Sequence, residues 1–454
     1  MDKKVFILLI VFALLVSFQL IQPMRTPIPT LQATRAPTYI NLPTLTPRPS
    51  STPHPPTSTA YPNASTIKAN AVAFIENSTL WIANIDGSGE KNLAKLAKNS
   101  DWLSSNMLRW SPDGKWLSYL SGDGLWAISP DGAVKRKLLD IPTEAWKFMY
   151  EWSPDSSKIA YQHVAYDKPT KTPTPGPESG MAPYRVGTID VATGKVSTLS
   201  SHEANAGISV LKWLPDGRNL LFIKDYSLVL LDVATRKVVR TIKRGCGLER
   251  GLSFSPNGQW IAYTDNNGVG RYFHQWICVN SLTGASIHEI YTGETTSEPV
   301  WDKTGNYLYF IARKINPDDD PNLQIDERLM RYDVQTQKTE RLLSLRKQQT
   351  WDYIASVSLS PDGRTLAISW NDLEIIRSYI LMDLTSMTTT KFENNFGSPS
   401  HERWSADSQN FIYLLGGGGF SAFYKTDLQT GETTRFTNEH GAEEWAISPI
   451  ATAP

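Results

Sequence analysis

The stretch WSPDGKWLSYL, Trp110–Leu120, decides how this chain is read. A bulky aromatic leads into a short polar turn, and an apolar-rich run follows. Pro112 presets φ for the first central position of a type I turn, Asp113 suits the second, and Gly114 supplies the left-handed residue that rejoins the next strand. Proline also stops the incoming strand from continuing as a ladder. The stretch therefore predicts a strand–turn–strand corner. It recurs as WSPDS at Trp152, WLPDG at Trp213, FSPNG at Phe254, WDKTG at Trp301, LSPDG at Leu359 and WSADS at Trp404. The steps run from 41 to 61 residues, and the shortest match one four-stranded propeller blade. The leading aromatics read as packing groups between neighbouring units rather than as ligand contacts.

A second turn series interleaves with the first. It includes NIDGSGE at Asn84, ISPDGAV at Ile128, DVATGKV at Asp190, DVATRKV at Asp232, NSLTGAS at Asn280, DVQTQKT at Asp333, DLTSMTT at Asp383 and DLQTGET at Asp427. Each follows an apolar run and precedes another strand, as a hairpin turn does. A unit is thus strand A, the SPDG turn, strand B, a variable loop, strand C, the second turn and strand D. The first unit, Ala71–Leu93, lacks its A strand, whereas EEWAISP at Glu443–Pro449 is an A strand without a unit. The expected fold is all-β: a β-propeller of eight four-stranded blades, with seven as the alternative. The C-terminal strand completes the N-terminal blade and closes the ring, which removes open sheet edges.

The S-P-D-G-x-x-[IL]-A-[YF] pattern followed by D-x-x-T-G resembles the WD-repeat-like propeller repeats of TolB-type periplasmic proteins. The same repeats occur in the propeller domains of prolyl-oligopeptidase-type peptidases. The resemblance covers about Ala71–Pro449 and departs from the pattern at Trp301–Gly305 and Trp404–Ser408, where proline is missing. It implies the fold and says little about activity. Peptidases of that kind carry a G-x-S-x-G nucleophile elbow in a companion domain. No such motif occurs in this sequence, and GGGGFSAF at Gly416–Phe423 reads as a tight B–C connection.

Residues 1–22 read as a targeting segment: Lys3 and Lys4 precede the uncharged run Val5–Phe18. With Leu20 and Ile21 the run approaches bilayer-spanning length. An uncleaved signal anchor is expected, or a signal peptide whose cleavage leaves a secreted or periplasmic protein. The lysine pair places the N-terminus inside and the rest outside the cytoplasm. Residues 23–66, rich in Pro, Thr and Ser, predict an unfolded, extended tether, and residues 67–454 the propeller. The 45 basic and 45 acidic side chains balance, which argues against nucleic acid as a partner. Membrane contact is expected through the N-terminal segment alone, and the ring is expected to be monomeric.

Insertions concentrate in B–C loops, around residues 163–184, 266–275 and 312–328, so function is expected on the B–C/D–A face. Trp102, Trp146, Trp351 and Tyr353 in D–A loops, with Arg250, Glu402 and Arg403 near strand starts, form a candidate binding face. The other reading has these aromatics wedged between blades. Asp318, Asp319 and Asp320 are candidate calcium ligands or a solvated acidic loop, since the Asp-x-Asp-x-Asp-Gly pattern is absent. The seven histidines lack zinc-like spacing, and no cofactor is expected. Cys246 and Cys278 form a disulfide in an oxidising compartment, or stay as a loop thiol and a buried thiol. The function that emerges is a non-enzymatic binding module for a protein, peptide or glycan at the cell envelope. The alternative is a lyase, glycosidase or other hydrolase with its site at the channel mouth.

Overall fold

The computed structural model describes residues 70–99, 107–122, 124–141, 148–164, 181–205, 210–225, 227–244, 250–266, 275–283, 287–290, 299–314, 326–346, 353–371, 377–394, 400–417, 420–438, 442 and 444–449. The chain divides into two units, Met1–Tyr61 and Pro62–Pro454, and every described residue belongs to the second. The targeting segment, the linker, Trp102, Trp146, Trp351, the Asp318–Asp320 cluster and Cys246 lie outside the described residues. Among those described, no helix is long and apolar enough to cross a membrane.

Eight four-stranded antiparallel sheets make an eight-bladed β-propeller. In blades 2 to 8 the four strands follow one another in sequence. Their A strands are Arg109–Trp110, Phe148–Trp152, Leu211–Trp213, Arg250–Phe254, Val300–Trp301, Tyr353–Leu359 and Ser400–Trp404. Blade 1 takes its A strand, Glu444–Ile447, from the far end of the chain. It pairs with Val72–Glu76 in the register Val72↔Ile447 to Ile75↔Glu444. Ring closure by the C-terminal strand is thus as the turn counts require.

Both faces of each blade press against a neighbour, so the inner strands carry near-continuous apolar runs instead of alternating ones. Val72–Ile75, Leu117–Leu120 and Leu220–Ile223 are buried throughout. D strands are polar and more exposed, as in Lys91–Lys95 and Lys135–Asp140. That is the composition that keeps a sheet edge from pairing with another chain. An apolar cluster sits between each pair of adjacent blades. The cluster joining blades 8 and 1 holds Phe74, Phe423 and Trp445. Its ring centroids lie 5.1 Å (Phe74–Phe423) and 5.4 Å (Phe423–Trp445) apart.

Serine in the SPDG turn has a role that the turn geometry alone does not reveal. Ser111 Oγ donates to Asp113 Oδ1 (2.6 Å) and accepts from the Trp116 N–H (2.9 Å). Gly114 takes up φ +69° to complete the turn. Ser153, Ser255, Ser360 and Ser405 repeat the pattern. Where the turn ends in serine, that residue adopts the left-handed region itself: φ is +60° at Ser156 and +63° at Ser408. Each hydroxyl then accepts the turn aspartate's N–H from the preceding blade, Asp113 N–H to Ser156 (3.0 Å) and Asp362 N–H to Ser408 (2.9 Å). A residue that costs backbone strain returns an inter-blade bond.

Candidate functional site: the channel wall of blades 8, 1 and 2

The anchor tryptophans fasten each blade to the one before it. Trp110 Nε1 donates to the Ala446 carbonyl (3.3 Å), Trp213 to the Glu151 carbonyl (3.2 Å) and Trp301 to the Ser253 carbonyl (3.2 Å). Trp404 reaches Ser358 Oγ at 3.0 Å. Trp152 reaches Ser118 Oγ at 2.8 Å, and that hydroxyl lies 3.2 Å from the Arg109 carbonyl. The acceptor belongs in each case, directly or through Ser118, to the residue just before the preceding blade's anchor position. The sequence reading of these aromatics as inter-blade packing groups matches this geometry.

Those fastened residues form a row around the channel: Ala446, Arg109, Glu151, Lys212, Ser253, Val300, Ser358 and Arg403, from blade 1 to blade 8. Four of them are charged. Glu151 pairs with Arg109 at 3.5 Å and with Lys212 at 3.2 Å, tying blades 2, 3 and 4 together. Arg109 also lies over the Tyr150 ring, 5.7 Å from its centroid. Burial pushes the Tyr150 hydroxyl's pKa up, and that hydroxyl donates to the Met107 carbonyl.

A cavity of about 960 Å³ lies along the A strands of blades 8, 1 and 2. Its walls include Arg403, Arg109 and Glu444 among charged groups and Trp110, Trp404 and Trp445 among aromatic ones. Arg403 is exposed and lines the cavity. Its guanidinium stacks over Trp445, 5.0 Å from the ring centroid. Burial, and after it the charge of Arg109, push the Arg403 pKa down, while Glu444 acts in the opposite sense. Glu444 Oε1 accepts the Leu108 N–H at 2.7 Å. The lining runs from Met107 and Leu108 at the strand start to Pro112, Pro361 and Pro449 at the A–B turns. It therefore reaches the A–B turn end of the strands.

Arg403 is the residue of the predicted face that the structure brings into this cavity. Glu402 and Arg250 lie on A strands of blades 8 and 5, and Tyr353 opens the A strand of blade 7. Cys278 is buried on strand C of blade 5, in the cluster facing blade 4. Among the described residues no three of His, Cys, Asp or Glu converge closely enough to hold a metal ion. Sequence reasoning missed Glu444, Trp445, Arg109, Glu151 and Lys212. Aligning the repeats on the anchor and reading the column before it, R-W, E-W, K-W and R-W, would have exposed the charged row.

No known family profile matches the chain. A stretch of 140 residues is 31% identical to the uncharacterized peptidase YuxL of Bacillus subtilis, covering 25% of this chain and 21% of that protein. The match thus spans about a fifth of the relative's length. A solved eukaryotic initiation factor superposes with a TM-score of 0.55 at 12% identity, over 86% of this chain and all of that one. At that identity the likeness is one of fold. TolB from Acinetobacter baumannii is also similar, at 14% identity and a TM-score of 0.35, over 72% of this chain and 65% of that one.

Proposed function

We propose that the chain is a non-enzymatic binding module, held outside the cytoplasm by its N-terminal segment, and that the cavity between blades 8, 1 and 2 receives its ligand. One observation carries this reading: a cavity of about 960 Å³ combines three tryptophans with an arginine that has no ion-pair partner among the described residues. Binding sites are concave, largely apolar and fixed by a few polar groups, and this cavity has that make-up. A segment of about bilayer length followed by a Pro-rich stretch supports the tether.

A photo-crosslinking residue in place of Met107, which lines the cavity, tests the site in the full chain within intact envelopes. A discrete adduct is expected there, and none from Val239, an exposed residue of strand D in blade 4. Equal labelling at both positions, or no adduct at Met107, would count against the cavity. Protease added to intact cells should cleave the propeller; full protection would place it inside.

The YuxL match supports a second reading, in which the propeller serves a hydrolase. Turnover of fluorogenic peptides by the purified chain, abolished by Glu444→Gln, would favour it.

A further inference from the structure

Four charged residues share the position before the anchor, and three of them are joined by ion pairs. Glu151 serves both Arg109 and Lys212. Arg403 has no carboxylate within ion-pair distance among the described residues, although it stands inside the cavity with Arg109 near enough to repel it. Its guanidinium, stacked on Trp445 in the cavity wall, is open to an anion that enters the cavity. Glu444 attracts Arg403 across the cavity but forms no ion pair with it, and one of its oxygens is already engaged by the Leu108 N–H.

We propose that Arg403 anchors a carboxylate-bearing ligand in this cavity, with the ligand's flat or apolar body against the walls formed by Trp110 and Trp404. The proposal deepens the binding-module reading and rests on it. Stacking on Trp445 restrains the guanidinium plane, and a planar fork so held suits two parallel bonds to a carboxylate.

A second observation comes from the wall itself. Ser448 is 5% exposed, lines the cavity, and its Oγ has no hydrogen-bond partner among the described residues. The corresponding serines of five other blades all bond within their turns. Ser448 therefore keeps an unspent donor in the same wall as the unpaired cation. The cavity volume falls within the range of roughly 300–1,000 Å³ that holds small molecules or the end of a chain.

A carboxylate beside a stacking face occurs at the C-terminus of a short peptide and in a uronic-acid sugar. Two acid–neutral pairs separate these sources: a pentapeptide ending in a free carboxylate against its C-terminal amide, and trigalacturonate against its methyl ester. Tryptophan fluorescence and calorimetry on the full chain read binding. One acid should bind, its neutral counterpart at least tenfold more weakly, and Arg403→Gln should weaken the acid at least tenfold. Arg403→Lys should retain part of the affinity, because it keeps charge and loses the fork.

An Arg403→Gln chain that binds the acid like the parent overturns the proposal. Should that variant fail to fold, the acid–neutral comparison on the parent decides, and equal affinities overturn it. A neutral probe bound as tightly as its acid sinks the carboxylate anchor while leaving the cavity a binding site. If none of the four binds, the anchor is wrong, and the binding role then depends on the Met107 crosslink alone.

Discussion

On the blade 2–4 arc of the channel, Glu151 holds Arg109 at 3.5 Å and Lys212 at 3.2 Å. On the blade 8–1 arc, Arg403 stacks on Trp445 and has no such carboxylate among the described residues. The four charged residues occupy one position of one repeated strand, yet their roles differ. Ala446 stands between Arg403 and Arg109 in the row, where a carboxylate would complete the alternation. The difference comes from ring closure. The blade 2–4 arc is built by consecutive stretches of chain, whereas the blade 8–1 arc joins the two ends of the propeller. The segment that closes it departs from the repeat: Ile447 occupies the anchor position, and Trp445 lies two residues earlier.

The largest test of that contrast removes the closing strand. Without residues 443–454, blade 1 loses its A strand, Trp110 loses its acceptor at Ala446 and Leu108 N–H loses Glu444. The truncated chain should lose its cooperative melt, read by far-UV circular dichroism. A parental melt would show that the two ends do not depend on each other. Trp445→Ala is the graded version. It removes a buried ring that packs on Phe423, and should cost about 3–5 kcal/mol in denaturant unfolding.

Most of the fold is legible in the sequence. Turn residues have local physical causes, so the SPDG and D-x-x-T-G series mark corners wherever they occur. The mismatch between the two counts then identified Glu444–Ile447 as the missing strand. The site was far less legible. A lone arginine before a tryptophan reads identically at Arg109 and Arg403; only the neighbours across the ring decide that one is paired and the other is not. Arg403 is legible through its place at a strand start, whereas Glu444 and Trp445 read as closure and nothing more. The role of the serine in the SPDG turn is not legible either, because its bond to Asp113 depends on side-chain geometry rather than on turn propensity.

Glu151→Gln probes the paired arc. Both ion pairs weaken, but Arg109 and Lys212 side chains are 41% and 42% exposed. Solvent screening therefore limits the loss to about 1 kcal/mol or less. The more informative effect is on binding. Arg109 lines the cavity, and its release should strengthen binding of the acidic probe severalfold. Unchanged affinity would mean that the two arcs act separately.

Ser156→Ala and Ser156→Gly separate strain from bonding at the seam between blades 2 and 3. Alanine keeps the left-handed strain and removes the acceptor of the Asp113 N–H, at a cost of about 1 kcal/mol. Glycine loses the same bond but relieves the strain. The alanine variant should melt below the glycine variant; the reverse order would show that strain at this position is negligible.

The smallest effect comes from carboxylates held by their own turns, which serve as a control for those in the channel. The Asp232 carboxyl is held down to about 2, first by the Thr235 backbone N–H and then by the Arg218 guanidinium. Asp333, Asp383 and Asp427 are lowered by the N–H groups of Thr336, Ser386 and Thr430. A carboxyl whose folded pKa lies below its unfolded value near 3.9 stabilises the fold fully above that value. That stability is lost as pH falls through the folded pKa. Denaturant midpoints should therefore hold steady above about pH 5 and decline from about pH 4 towards 2. Asp232→Asn should lower the neutral-pH midpoint slightly and flatten the acid decline, since one of several such groups no longer titrates. An unchanged acid slope in this variant would show that Asp232 is not among the groups that set the acid sensitivity.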